Sequence, residues 1–365
     1  MIKERFDVAI LGAGPAGCSA ALKLNERELS SVIIEKEDLP RMKICAGLAP
    51  AATLQVLEDY LNLEIPDGVL EKPSKVGLVY VPPSGLQKAG LTPNYELYNL
   101  NREKLDYWLA SKVKARNIKI LTKKHVKDIV SRNNQFIIKL SDNTAITSRF
   151  IIGCDGAKSQ TRKILFNEKQ VCAPIYQETY PLKEKYMDII KPYFYIFLNG
   201  QVCNLYSYII RKNRKAIFGT GNYDIGKGPA EAVKSMIKFK MILKKELPEI
   251  SPLLEQEKPL RQLWFIPFSE PKVGKDNILL AGDAAGFVNG FSGEGIRMAV
   301  ESGVYAAEAI NENALTGKPA INNYQHYVKQ LVDFCNITRK YASTMNDTKR
   351  ENYLKETNTR RIQVK

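Results

Sequence analysis

The chain has 365 residues, 44% of them hydrophobic, enough for one large domain or two with a true core, which excludes disorder as its general state. Its net charge of +15, from 54 Lys and Arg against 39 Asp and Glu, favours an anionic partner such as an acidic membrane surface or a phosphorylated substrate. The lysines are spread along the chain and no recognised nucleic-acid module accompanies them, so nucleic acid is not an expected partner.

The six cysteines (Cys18, Cys45, Cys154, Cys172, Cys203, Cys335) form no CxxC pair, and His125 and His326 lie far apart, so neither a metal site nor a disulfide framework is indicated. Lys3 and Arg5 precede an apolar run that superficially resembles a secretory signal, but glycines explain that run better. No stretch reaches the roughly 18 uninterrupted apolar residues of a membrane span. The expected protein is soluble or peripheral, in the cytoplasm or at the inner face of the membrane.

The segment "FDVAILGAGPAGCSAALKL" predicts a short buried strand over Val8 to Leu11, a turn through Gly12, Gly14 and Gly17, and a helix rich in Ala and Leu. "SVIIEK" follows as a second buried strand ending at Glu35, 18 residues after Gly17. Strand, glycine turn, helix, strand and acid in this order predict a dinucleotide site. Gly12 permits the tight turn, Gly14 lets the backbone approach a pyrophosphate, and Gly17 allows close helix packing. The helix N-terminus offers unpaired N–H groups to phosphate, and Glu35 can accept hydrogen bonds from ribose hydroxyls.

Further along, "RMKICAGLAP" places Cys45 among small and apolar residues. An amphipathic helix is expected after Asn101, with Leu105, Leu109 and Val113 on one face, then short antiparallel strands with an Asn-rich turn, the first carrying His125 on the outside. These close on a buried strand, Phe150 to Gly153, followed by Asp155 and Gly156. Between about 171 and 271 the chain changes character. Three successive strands are expected, the first two joined by a hairpin at Asn199-Gly200, with Tyr193 and Tyr195, and Tyr206 and Tyr208, sharing faces of a sheet that covers an apolar ligand. A Lys-rich helix, Ala230 to Leu247, precedes "NILLAGDAAGFVNGFSGEGIRMAV": a buried strand, an acid at its carboxyl end, a glycine loop and a helix of small residues.

Four segments, "GAGPAG" with Glu35, "NREKLDYWL", "IIGCDGAKSQTR" and "LLAGDAAGFVNGFSGEGI", together resemble FAD-dependent oxidoreductases of the glutathione-reductase-like fold, in the branch that holds aromatic hydroxylases, halogenases and geranylgeranyl reductases. "KICAGLAP" and "LYSYIIRK" narrow the resemblance to geranylgeranyl reductases and to a bacterial subgroup that includes an enterobacterial protein associated with colicin M tolerance. Three positions depart from the pattern. Tyr208 stands where these reductases often have Trp, Arg211 where they have Pro, and Gly290 where many flavoproteins of the fold have Pro.

The resemblance implies an α/β fold: a Rossmann-like FAD-binding domain built discontinuously from residues 1–75, 95–170 and 272–330, an inserted antiparallel β-sheet substrate domain from 76–94 and 171–271, and a basic C-terminal helical segment, 331–365. It implies that Gly12, Gly14, Ala16, Gly17, Glu35 and Lys36 hold the ADP half of FAD. Arg102, Val126, Asp155, Gly156 and Asp283 would meet the rest of the cofactor. Cys45, Ala46 and Gly47 would border the isoalloxazine, with Lys43 adding positive charge nearby, and Gly293, Gly295 and Ile296 would form a loop and helix start whose N–H groups stabilise negative charge on the reduced ring.

The implied activity is hydride transfer from reduced flavin to a carbon–carbon double bond of an isoprenoid or prenyl lipid, with Cys45, Tyr206 and Tyr208 as the candidates for supplying the accompanying proton. No second GxGxxG appears, so NAD(P)H would bind transiently near the flavin unless another electron donor serves. A flavin monooxygenase acting on an aromatic or small apolar substrate, and a non-catalytic flavoprotein, are the competing functions.

Overall fold

The computed structural model describes residues 3–356 and 360–361, apart from 28, 223–227 and 317–318. β1 (Lys3–Leu11) runs through the glycine turn into α1 (Pro15–Asn25), and β2 (Ser31–Ile34) returns parallel to β1, with Val8 opposite Ser31 and Leu11 opposite Ile34. Gly14 caps α1 and Pro15 occupies its first turn, where the missing N–H costs nothing. α1 is buried on nearly every side, and its Ala, Gly and Cys side chains are small enough to allow that.

The chain then alternates between two sheets. β3 (Leu48–Pro50), α2 (Ala51–Leu61), β4 (Leu70–Val81) and β5 (Gly90–Leu100) lead to α3 (Arg102–Ala115), which Asn101 caps through its side chain. β6 (Lys119–Leu121), β7 (Val126–Arg132), β8 (Gln135–Leu140) and β9 (Ala145–Gly153) follow. β7 and β8 meet at Asn133-Asn134, both at positive φ, the turn that the Asn-rich stretch predicts. After α4 (Gln160–Phe166) come β10 (Cys172–Pro181), β11 (Tyr193–Phe197), β12 (Ser207–Lys212) and β13 (Lys215–Gly221). α5 (Gly228–Glu246), α6 (Ser251–Gln256), β14 (Leu260–Pro267), β15 (Gly274–Lys275) and β16 (Ile278–Leu280) complete the middle of the chain. Last are α7 (Ile296–Thr316), α8 (Ala320–Tyr327), α9 (Lys329–Ser343), α10 (Asp347–Glu356) and β17 (Arg360–Arg361).

The first sheet has the order β15-β16-β9-β1-β2-β6, with the β7–β8 hairpin added through β9. One face packs on α1, α2, α3, α7 and α8; the other packs on the hairpin and α4. The second sheet has the order β14-β10-β13-β12-β11-β4-β5-β17, with β3 on β5. It is antiparallel except where β11 joins β4 in parallel. β4 and β5 reach from Leu70 to Leu100, beyond the 76–94 expected for that part of the sheet. No helix of the described residues is long and apolar enough to cross a membrane.

One expectation needs correction. Asn199-Gly200 is not a two-residue hairpin: the Asn199 carbonyl accepts from Val202 and Cys203 N–H, opening a loop that runs to Tyr206. Gly200 serves α10 instead, because a Cβ there would lie 2.4 Å from the side chains of Asp347 and Arg350. The tyrosines of each pair share a face, as expected, and the two pairs take opposite faces of the sheet. Ile196, between Tyr195 and Phe197, faces Tyr208 across the ladder, so Tyr193 and Tyr195 join the core under α5, while Tyr206 and Tyr208 join the core on the opposite face.

Candidate active site

The carboxyl ends of β1, β2 and β9 converge where the glycine turn opens, and a groove of ≈ 500 Å³ begins there. Gly12, at φ +110°, crosses β9 so closely that a Cβ would lie 2.4 Å from the Cys154 carbonyl oxygen. Gly14 is different: its open side meets nothing nearer than the Arg41 guanidinium at 3.7 Å. Ala16 lines the same wall, while Gly17 is buried behind it.

Glu35, 3% exposed, accepts from the N–H groups of Ala13 (2.8 Å) and Glu37 (3.0 Å), fastening the glycine turn to the end of β2. A carboxylate has about four acceptor positions, so it retains capacity for a ribose. Lys36, Arg102, Val126, Asp155, Gly156 and Asp283 line the groove from four further segments. His125 stands exposed just before β7, at its edge. Asp155 accepts from the Thr161 N–H and hydroxyl (2.8 and 2.9 Å) in the first turn of α4, which Ser159 caps; burial pushes the Asp155 carboxyl up against the pull of those hydrogen bonds. Asp283 pairs with Lys43 at 3.2 Å, so the Lys43 charge is neutralised locally. Gly293, Gly295 and Ile296 bring the start of the 21-residue α7 to the far wall, its N-terminus aimed at the groove.

Beyond the groove lies an apolar chamber of ≈ 200 Å³ against the second sheet. Ile44, Cys45, Trp264, Ile266 and Gly293 line both spaces and mark their junction, while Ala46 and Gly47 face only the chamber. The Gly47 N–H donates to Cys45 Sγ at 3.2 Å. Tyr206 and Tyr208 also line the chamber. Tyr206 donates to the Ser292 carbonyl at 2.5 Å and Tyr208 to Gln177 Oε1 at 3.1 Å, and burial pushes both phenols well up.

Three groups were missed in the sequence. Arg41 lies across the groove, 3.4 Å from Glu35 and 3.3 Å from Asp106. Asp106, with no exposed surface, also accepts from Arg102 Nε (3.2 Å) and Nη2 (2.9 Å), so one carboxylate holds two guanidinium groups. Lys212, from β12, reaches under the Cys45 loop and donates to Asn99 Oδ1 (2.7 Å), the Leu100 carbonyl (2.8 Å) and the Gly47 carbonyl (3.3 Å).

Burial pulls Lys212 down to about 8 from its ordinary 10.5, with Cys45, Glu71 and Arg102 as its charged or titratable neighbours. Between those values the unfolded chain holds a proton that the folded chain has released. Stability therefore rises with pH across that window, by at most about 1.4 kcal/mol per pH unit. Denaturant unfolding of the flavin-loaded protein at several pH values should show a steeper rise for wild type than for Lys212→Met; parallel profiles would refute the assignment.

The groove fits FAD on its own terms. The Gly14 cradle is one a Cβ would fill, and Arg41 Nε and the Trp264 indole N–H are buried without hydrogen-bond partners among the described residues. Residues 5–179 match the FAD binding domain family. Over that stretch the chain is similar to an FAD binding domain. It is 29% identical over 318 residues to Protein CbrA of Escherichia coli (strain K12), covering 82% of each chain. In fold it matches a geranylgeranyl bacteriochlorophyll reductase-like protein from Thermoplasma acidophilum (TM-score 0.80, 17% identity, 98% of this chain and 92% of that one). It also matches PqsL, a probable FAD-dependent monooxygenase from Pseudomonas aeruginosa (TM-score 0.72, 16% identity, 97% and 100%). The likeness to these structures gives the flavoprotein fold, a scaffold that the reductase-like and the monooxygenase neighbour share.

Proposed function

We propose that this FAD-binding protein reduces carbon–carbon double bonds of an isoprenoid or prenyl-lipid substrate. The observation that carries the reading is the apolar chamber that opens into the cofactor groove at Cys45, Trp264 and Gly293. Cys45, Trp264 and Gly293 would border FAD at that junction, and the chemistry that the reduced cofactor would supply is hydride transfer. The chamber walls are hydrocarbon and aromatic, and the single charged residue among them, Glu294, is paired to Arg297 at 3.0 Å. Such walls orient an alkene and exclude water. Electrons come from NAD(P)H or another diffusible carrier. The net charge of +15 draws the protein towards an anionic membrane where prenyl substrates reside, each basic residue near the surface contributing about 1 kcal/mol.

The hydrogen bonds divide the three candidate proton donors. Tyr206 and Tyr208 commit their hydroxyl protons to Ser292 and Gln177, whereas Cys45 accepts a hydrogen bond at sulfur and its thiol donates to no group among the described residues. Cys45 is therefore the donor in this reading. Cys45→Ala should keep its FAD and lose turnover by ~10²-fold or more, the usual contribution of a general acid. Unchanged turnover would return Cys45 to packing.

The function itself is tested by incubating the reduced protein, without oxygen, with polyprenyl phosphates and quinone lipids. Products heavier by two hydrogens per bond are expected, and no flavin reoxidation by any of them would reject the reading. One observation favours monooxygenation as the second reading: a chamber of ≈ 200 Å³ is below the roughly 300–1,000 Å³ of common ligand pockets and suits a compact aromatic. Substrate-dependent incorporation of isotopic oxygen would decide for it.

A further inference from the structure

The C-terminal helices stand apart from the groove yet tie the cofactor side of the molecule to the second sheet. On the cofactor side, the Gly290 N–H donates to Thr338 Oγ1 at 3.0 Å, and a Cβ at Gly290 would lie 2.6 Å from the backbone of Arg339, so this loop and α9 are in direct main-chain contact. That contact also explains why glycine stands at this position. On the sheet side, the Glu351 carboxylate accepts from the Ser84 N–H (3.1 Å) and hydroxyl. Arg350, 4% exposed, donates to the Asn204 carbonyl and to Asp347, each at 2.9 Å. β17 then pairs with the end of β5.

Between these polar anchors the contact is aromatic. The Tyr353 ring lies 4.8 Å from Tyr80 and 5.4 Å from Phe291, and Phe291 lies 5.3 Å from Tyr341. Tyr80 is a wall of the chamber, and Phe291 immediately precedes the wall residues Ser292 and Gly293. Tyr353 lies behind that wall and packs on the same apolar cluster as Leu78, Leu97, Tyr206 and Tyr208. The chamber's small volume is thus bounded on this side by rings in contact, edge to face at Tyr80–Tyr353 and tilted at Phe291–Tyr353, held in place by a helix whose own attachment is polar and separate.

We propose that Tyr353, acting through Tyr80 and Phe291, is a specificity-determining residue: α10 backs and fixes the end wall that sets the longest apolar chain the chamber accepts. The inference rests on the isoprenoid reading. It follows from the division of labour in α10, because the Arg350 and Glu351 anchors persist when Tyr353 is changed, so the ring can be removed or enlarged without detaching the helix.

The test uses flavin-loaded protein with geraniol, farnesol and geranylgeraniol as probes, binding being read from the flavin absorbance. In wild type, affinity stops rising once the chain meets the wall. In Tyr353→Ala, geranylgeraniol should gain on the order of tenfold relative to geraniol, because the wall no longer excludes the added methylenes. Tyr353→Phe should match wild type, and Tyr353→Trp, a bulkier ring on the same anchors, should shift the preference to shorter chains. The Trp variant carries the test if the Ala variant does not fold. An unchanged length preference in these variants would overturn the role of Tyr353 while leaving the isoprenoid reading intact. Failure of all three alcohols to bind wild type would overturn that reading and the inference with it.

Discussion

Replacing Asp106 with alanine should cost the folded protein ~3–5 kcal/mol, the usual penalty for removing one partner from a buried ion pair. Asp106 has no exposed surface, and Arg102 and Arg41 both converge on it. Its loss leaves two guanidinium groups in a poorly hydrated wall of the groove, where each must find water or move. Arg41 is expected to swing away from Glu35 and Gly14, so FAD retention falls along with stability. Asp106→Asn should be nearly as damaging, since it keeps the volume and removes the charge. Denaturant unfolding together with the flavin content of the purified protein measures both effects. A loss below about 1 kcal/mol would show that the arginines do not depend on this carboxylate.

Two glycine replacements in one turn should fail in different ways. A Cβ on Gly17 would lie 1.9 Å from the Gly12 carbonyl oxygen, backbone that cannot give way without displacing the whole turn. Gly17→Ala should therefore yield little folded protein and no bound flavin; overpacking of this kind commonly costs ~1–3 kcal/mol and more where backbone is struck. A Cβ on Gly14 meets no protein atom closer than 3.7 Å. Gly14→Ala should fold like wild type, with an unchanged unfolding midpoint when both are compared free of flavin, and lose FAD because the methyl occupies the cradle. Equal unfolding midpoints for the two variants would contradict this account of the turn.

The parts of the site legible in the sequence were those that local chain geometry dictates. Gly12, Gly14 and Glu35 belong to one strand, turn, helix and strand unit whose residue types follow from the turn itself. Arg41 sits in a stretch with no periodicity, and its role appears only when that loop folds back across the groove to Asp106. Lys212 reads as an alternating strand residue. Nothing local shows that its ammonium ends beneath a loop more than 160 positions earlier. Asn199-Gly200 carried a true turn signal and was still misread, because Gly200 is required by a helix near the other end of the chain. Tertiary contacts decided there what local propensity left open.

The interleaving of the first sheet also bears on how the protein is made. Val8 to Leu11 pair with residues 31–34 on one side and 150–153 on the other, β16 adds Ile278–Leu280 outside β9, and α7 packs on α1. At about 5–20 residues per second, the earliest strand waits on the order of tens of seconds of synthesis before its last neighbours leave the ribosome. Until α7 emerges, the groove lacks its far wall and the apolar surface of α1 lacks its cover, the kind of exposure that invites aggregation. Messages cut short before the codon for Ile296 therefore specify sticky, flavin-free chains, and the cell's supply of FAD can stabilise only those that are nearly finished.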